Sequence, residues 1–391
     1  MSKHPMNFWQ DYINTAVTFR RELHRHPELG WSENQTAQRI RHRLTTLGIP
    51  WRECAGTGTV ATLASGRPGP HIALRADIDA LPIAEQSGVD WTSHHEGCMH
   101  ACGHDGHTAT LYNTAQWLKA HEELLPGPVT LLFQPAEEGG HGAKRMIEDG
   151  ALEGVQKIFG WHNWPAIPLG QAVCPQGPVM AGNGVFKLDV QGAGGHSSQP
   201  ELCRDPVLAG SAIVLALQQI VSRRLPAQSA TVISITSFDA KSGVTVIPDR
   251  AILEGSYRLV DPNDQETIAG LIKEVAESTA RAYGVTCHVD IHPRYQPTIN
   301  HTTEASLFRG ILKEEFGPDV ISSEVRVPIM ASEDFSYYLN EIPGAFALIG
   351  SGTGEVRHSV PCHSPKYDFN DALIPHVTRI FTRLVGAPLP E

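Results

Sequence analysis

From residue 71 to 183 short apolar runs alternate with helix-patterned stretches, the signature of an α/β sheet. The runs share one peculiarity at their carboxyl sides. HIALRADIDALP (71–82) ends in Asp77 and Asp79, PVTLLFQPAEEGG (128–140) in Glu137 and Glu138, and VQKIFGWHNWP (155–165) in His162. After a long interruption GAFALIGSG (344–352) resumes the strand pattern and leads through a short loop to His363. Open α/β sheets place their sites just beyond the carboxyl ends of their strands. Chance does not readily put a candidate metal ligand or proton acceptor at that position in every run. Helix patterns fall between them, in HTATLYNTAQWLKAHEEL and AKRMIEDGAL, and DALIPHVTRIFTRLVG closes the chain.

The interruption, about 184 to 295, has an order of its own. VFKLDVQG reads as a strand, PVLAGSAIVLALQQIVSRR as a helix, and SATVISITSFDA and DRAILEGSYRLV as two strands. DQETIAGLIKEVAESTARAYG is then a second helix and TCHVDIHPR a last strand. That succession, βαββαβ, is the ferredoxin-like plan. A chain of 391 residues exceeds what one hydrophobic core usually serves. The expected organisation is a discontinuous larger domain, 1–183 with 296–391, carrying a small domain inserted at 184–295.

Charge and composition narrow the function classes. A formal charge of −11 and no basic run disfavour nucleic acid or an anionic membrane as partner. The N-terminal MSKHPMNFWQDYINTAVTFRRELHRHPE reads as an amphipathic helix rather than a secretory signal. No apolar stretch is expected to reach the roughly 20 residues that span a bilayer. Seven scattered cysteines, an odd number, do not make a disulfide framework. A cytoplasmic protein with reduced thiols is the expectation, and a thiol is then available as a ligand.

In HACGHDGH (100–107), Cys102 and His104 would diverge by about 200° on a helix. In an extended loop they can converge on one ion, and thiolate with imidazole suits Zn²⁺ and other borderline metals. The competing reading is a polar loop capping the next helix. His100 and His107 read as a ligand, an outer donor or a helix-terminus residue, and Cys98 as an ordinary thiol. Glu137 and Glu138 form either a solvated pair or a division of labour, one carboxylate on a metal and the other taking a proton from water. The catalytic reading is favoured. His162 alone would be a satisfied core histidine, and it becomes a ligand by joining the other strand-end groups, as does His363. Asp77 and Asp79 would point to opposite faces of a continuing strand. At most one should then face a metal, the other holding a turn or orienting a ligand histidine. Spacing does not assign His196 in GAGGHSSQP (192–200). Arg258 can bind a substrate carboxylate through its planar fork or make a plain ion pair.

Several long stretches are similar to those of one known group: RRELHRHPELGWSE, LRADIDALPI, MHACGHDGHTA, LLFQPAEEGGHGAKRMIEDG, HNWP, GGHSSQP, SEDFSYYL and HSPKYDFND. Over nearly its whole length the chain resembles the M20 metallopeptidase clan, in the amidohydrolase subfamily of hippurate hydrolases, N-acyl-amino-acid amidohydrolases and auxin-conjugate hydrolases. The resemblance implies a zinc-peptidase-like three-layer α/β/α catalytic domain with an inserted ferredoxin-like lid and dimerisation domain. It implies two divalent metals per subunit, Zn²⁺ or Mn²⁺, with Ni²⁺ or Co²⁺ also tolerated by mixed ligation. By motif match the ligands are Cys102, His104, Glu138, His162 and His363. Glu137 is the general base, and Asp79 steers a neighbouring ligand. In a homodimer His196 would reach the active site of the partner subunit and stabilise the oxyanion. The expected reaction is hydrolysis of an N-acyl amino acid to carboxylate and free amine. A dipeptidase on the same scaffold and a non-catalytic binding protein are the alternatives. Two residues depart from the family pattern: Thr245 stands where an asparagine before VIP is usual, and Cys362 directly precedes the ligand histidine.

Overall fold

The computed structural model describes residues 8–390. The N-terminal helix runs as α1 (Phe8–Arg25), and the first residues of the expected helix, 1–7, lie outside the described part. In chain order the strands of the two larger sheets are β1 (Trp51–Cys54), β2 (Gly58–Leu63), β3 (Ile72–Asp77), β4 (Val129–Gln134), β5 (Lys157–Pro168) and β6 (Ala172–Val173). Then come β7 (Gly182–Gln191), β8 (Thr231–Asp239), β9 (Arg250–Leu259), β10 (Thr286–Pro293) and β11 (Gly344–Gly352). The remaining helices are α2 (Asn34–Thr46), α3 (His104–Ala120), α4 (Gly142–Glu148), α5 (Pro206–Gln219), α6 (Asp264–Ala282), α7 (Thr302–Phe316), α8 (Ser336–Glu341) and α9 (Leu373–Leu384). The chain divides into two compact units, one of 1–179, 299–327 and 334–391, the other of 180–298 and 328–333.

The first unit is built on a sheet of order β1-β2-β4-β3-β5-β11-β6. Strands β3, β4, β5 and β11 run parallel, and the edges are antiparallel. Alternation along β3 and β5 makes the layers. Leu74, Ala76, Phe159 and Trp161 face a core shared with α1, α2, α3, α7 and α9. Residues of opposite parity face α4 and α8, where Phe335 meets Phe346 at 5.0 Å and the Arg75 guanidinium at 5.8 Å. A strand covered on both faces must be apolar throughout, and all of β4, VTLLFQ, is buried. Helices on both faces of a central sheet give the three-layer α/β/α scaffold. The strands β1 and β2 at one side of the sheet and the helices α2 and α7 have short or weak apolar periodicity, so the sequence does not announce them.

The second unit is a four-stranded antiparallel sheet of order β8-β9-β7-β10, with α5 and α6 packed on one face. This is the ferredoxin-like order. Phe186, Leu188 and Val190 of β7 point into the core with Ile213, Leu217, Ile268 and Ile272 of the helices. The intervening Lys187 and Asp189 pair across the other face with Glu254 and Arg250. One sequence expectation is corrected here. Residues 206–224, α5 and its continuation, are long and apolar enough by length and composition to cross a membrane. Their buried positions, Ala209, Ile213, Leu217 and Ile220, recur at helical spacing and pack on the sheet, while Leu208 and Leu215 are exposed.

A buried ionic cluster ties α1 to the elements around the site. Arg20, fully buried, reaches Asp371 at 2.8 Å, Asp368 at 3.4 Å and Asp105 at 3.5 Å. His24 sits 2.8 Å from Asp105 and 3.1 Å from Glu85. Burial depresses the His24 pKa, but the charge of Asp105 and the hydrogen bonds to both carboxylates outweigh it and carry the pKa up to about 9. A raised folded-state pKa binds a proton more tightly than the unfolded chain does. The protonated ring therefore stabilises fully below pH 6.5, and that contribution is lost as pH rises through about 9. The urea midpoint of the wild type should accordingly decline between these limits more steeply than that of His24→Gln, and parallel declines would remove His24 as the cause.

Candidate metal centre

Cys102 and His104 flank Gly103, which stands at the N-cap of α3 with φ +93°. A Cβ at 103 would lie 2.3 Å from Asn163 Oδ1 and 2.6 Å from Tyr367 Oη, so only glycine fits the turn. The tight entry puts Cys102 in the loop and His104 on the first helical residue. The two therefore converge rather than diverge as they would on a continuous helix.

Two trios of ligand atoms share the thiol. Cys102, His104 and His162 form one, and Cys102, Glu138 and His363 the other, with the atoms of each trio within 4.8 Å of one another. His104, Glu137 and Glu138 satisfy the same limit. The hydrogen bonds of both buried imidazoles select the tautomer a metal needs. His104 Nδ1 lies 3.1 Å from Asp79 Oδ1, and His162 Nδ1 lies 2.7 Å from the carbonyl of Asn163. Protonated there, each ring leaves Nε2 for a cation: His162 Nε2 is 3.3 Å from Cys102 Sγ, and His104 Nε2 makes no hydrogen bond. Burial opposes protonation of His104, but Asp77 and Asp79 carry its pKa up to about 10, so a cation bound there would displace a proton. Glu138 Oε1 is likewise buried without an aligned donor, although His363 Nε2 is 3.1 Å away. The Cys102 thiol is pushed well above its ordinary pKa by a hydrogen bond with Cys362, by burial and by Glu138. Unsatisfied lone pairs around a thiol crowded by carboxylates fit divalent cations, whose charge would hold the thiolate.

The turn after β4 presents Glu137 and Glu138, and its left-handed residues are Ala136 (φ +50°), Gly139 (+82°) and His141 (+60°). Only the first glycine of the GG pair takes a positive φ; the strain sits on the residues flanking the glutamates. Buried carboxylates from elsewhere accept its amides. Asp79 Oδ2 takes Glu138 N–H at 2.9 Å, Glu33 Oε1 takes Ala136 N–H at 2.8 Å, and Asp334 Oδ2 takes Ala143 N–H at 2.9 Å.

Two sequence expectations change. Strand β3 stops at Asp77, so Asp77 and Asp79 do not alternate across a sheet. Both approach His104, Asp79 at Nδ1 and Asp77 3.6 Å from Nε2. Asp77 also holds His107 Nδ1 at 2.6 Å. His162 lies inside β5 rather than beyond it, three positions past Phe159, the last residue that β5 pairs with β3. The strand continues because β11 pairs with it as far as Pro168.

His107 is no free ligand: its Nε2 is 2.7 Å from Asn163 Oδ1, and Asn163 donates in turn to Tyr367 Oη at 2.8 Å. His100 is buried with both ring nitrogens unpartnered, and burial keeps it neutral, its pKa lowered to about 4. Residue 363 has φ +66°, and its N–H bonds the carbonyl of Ala101 at 2.8 Å, which lays its loop beside Cys102. Cys362 Sγ lies 3.9 Å from the carbonyl oxygen of Cys102. Glu33, Asn163, Asp334 and Tyr367 escaped the sequence reading of the site. Each lay inside a quoted motif, but nothing local marked it.

Arg258 and His196 belong to the second unit. Arg258 donates to the neutral hydroxyl of Ser332, and burial together with Arg294 lowers its pKa. His196 is exposed, and its Nδ1 accepts the N–H of Ser198 at 3.1 Å, which leaves Nε2 as the protonated nitrogen. The Thr245 carbonyl accepts Ser197 N–H at 2.9 Å, so that position bonds the His196 segment through its backbone.

The profile of peptidase family M20/M25/M40 matches residues 73–387. An IAA-amino acid hydrolase ILR1-like 5 of Arabidopsis thaliana is 36% identical over 98% of this chain and 90% of its own. The hippurate hydrolase of Campylobacter jejuni is 35% identical over 93% and 94%. Among solved structures, the Bacillus subtilis YXEP protein, a dinuclear metal binding peptidase from the M20 family, superposes with a TM-score of 0.81 at 31% identity, covering 96% of this chain and 98% of that one.

Asp79 serves His104 and Glu138 with separate oxygens, and asparagine can accept from only one of them. Asp79→Asn should weaken metal binding about 10–100-fold in competition with a chelator; unchanged affinity would show that Asp79 does not orient the ligands.

Proposed function

The chain belongs to the M20/M25/M40 peptidase family, whose members here include metal-dependent amidohydrolases, and on that basis we propose that it hydrolyses N-acyl amino acids to a carboxylate and a free amine. The observation that carries the reading is the pair of ligand trios sharing Cys102, with Glu137 against one of them. The donor set is Cys102, His104, Glu138, His162 and His363, which suits two Zn²⁺ or Mn²⁺ ions. Bound there, the cations would polarise the scissile carbonyl and lower the pKa of water.

Glu137 and Glu138 then differ in office. Glu138 faces His363 and the thiol and is committed to ligation. Glu137, buried, has Oε1 3.3 Å from Asp334 N–H, which fixes the carboxylate's orientation. It is the base that takes a proton from the attacking water and returns it to the departing amine. In the second unit, the planar fork of Arg258 is assigned the substrate carboxylate, since the group it donates to is the neutral hydroxyl of Ser332. In a homodimer, His196 of the partner subunit is assigned the developing oxyanion. The substrate class draws support from the names of the two relatives, since IAA-amino acid conjugates and hippurate are both amides of an acid with an amino acid.

A panel of N-acetyl, N-benzoyl and longer acyl amino acids, with dipeptides beside them, tests this. Chelation should abolish turnover and Mn²⁺ or Zn²⁺ restore it. Glu137→Gln should lower kcat about a thousand-fold with both metals still bound. Preference for dipeptides would shift the substrate class, and wild-type turnover by Glu137→Gln would remove the base.

A further inference from the structure

Glu33 begins the polypeptide's second helix yet does not cap it. Its side chain makes no bond to the first turn of α2. Glu28 does that work, accepting Gln35 N–H at 3.1 Å and Thr36 N–H at 2.8 Å. The Glu33 carboxylate, fully buried, is instead spent elsewhere. Oε2 accepts the Thr57 hydroxyl at 2.7 Å, and Oε1 accepts the Ala136 amide at 2.8 Å. Ala136 is itself fully buried, so without Glu33 its amide would have no water to turn to. It also holds φ +50° immediately before Glu137. A residue with a Cβ adopts that conformation at a cost and keeps it only when the surroundings insist.

The two glutamates hang from this pivot. Asp79 secures the amide of Glu138, on the far side of Glu137. Glu33 secures the near side, so Glu137 is bracketed by two amides that are each tied to a carboxylate from a distant segment. Burial and the neighbouring Asp79 push the Glu33 pKa up to about 7. The site tolerates two carboxylates here because their acceptor capacity is needed.

We propose that Glu33 is a positioning residue for amide hydrolysis: by accepting the Ala136 N–H it holds the left-handed pivot that aims the Glu137 carboxylate. The inference rests on the reading of Glu137 as base. The Glu33 carboxylate bonds Thr57 and Ala136, neither of them in the proposed donor set, so its influence passes through the turn.

The test uses the full-length, metal-reconstituted enzyme and the acyl amino acid it turns over fastest. Glu33→Asp withdraws the carboxylate by one methylene. It should lower kcat about 30-fold, a loss typical of a base displaced by a fraction of an ångström. KM and the content of bound metal should stay as in the wild type, and the Ala136 amide of the metal-free protein should exchange with deuterium faster. Glu33→Gln retains an acceptor oxygen and should recover most of that loss. Placed on Glu137→Gln, Glu33→Asp should slow the residual rate by less than about 2-fold, because residues acting through one group are not additive. Wild-type kcat in Glu33→Asp, or an undiminished 30-fold effect without Glu137, overturns the proposal. If Glu33→Asp does not fold, Glu33→Gln decides: near-complete loss of turnover with metals retained overturns it, and substantial activity with slow Ala136 exchange supports it. An inactive Glu137→Gln beside a fully active Glu33→Asp removes only this inference; a fully active Glu137→Gln removes the base and the inference with it.

Discussion

Buried carboxylates whose lone pairs are spent on the N–H groups of other segments hold the candidate centre together. Asp79 takes the His104 imidazole and the Glu138 amide, Glu33 the Ala136 amide, and Asp334 the Ala143 amide. Taking a carboxylate out of water is costly unless its oxygens are filled by good donors. Charge-assisted bonds of this kind are stronger and more directional than neutral ones. The result is a set of segments from five parts of the chain that cannot shift singly. That network lets a thiol, three imidazoles and two glutamates share a small volume.

Acceptors at Nδ1 also orient the two buried imidazoles. An imidazole tied at Nδ1 offers a lone pair at Nε2, and both His104 and His162 are tied there, one by a side chain and one by a main-chain carbonyl. Beside them Asp77, His107, Asn163 and Tyr367 form a chain of hydrogen bonds. The Arg20 cluster extends the support outward, joining α1 to Asp105 beside His104 and to the 368–371 segment beyond His363. Strain is local to the places where ligands leave regular structure. Ala136 and His363 both take positive φ, one before the glutamates and one at the last imidazole.

Much of this architecture is readable without coordinates. Apolar runs buried on both faces announce a sheet between helix layers, and the βαββαβ succession announces the second fold, because periodicity and strand length are local properties. Motif match also picks out Cys102, His104, Glu138, His162 and His363, which the fold brings together in two trios. Less legible are the residues that act as acceptors for main-chain amides. Nothing about Glu33 in GWSEN distinguishes a carboxylate that caps its own helix from one that reaches the turn after β4. The alternation rule also failed for Asp77 and Asp79, since it assumes a strand that continues, and β3 ends at Asp77.

By itself, then, the amino-acid order determined the layers, the inserted fold and the kinds of side chain that would stand near the strand ends. Those follow from patterns a few residues long. Only the tertiary structure decided which lone pairs face inward and which are consumed. That choice depends on where a strand stops, on the sign of φ at Ala136 and Gly103, and on contacts such as Glu33 with Ala136, 103 positions apart. Directional bonds over such separations are properties of the folded chain, because they require two independently built segments to meet within a fraction of an ångström.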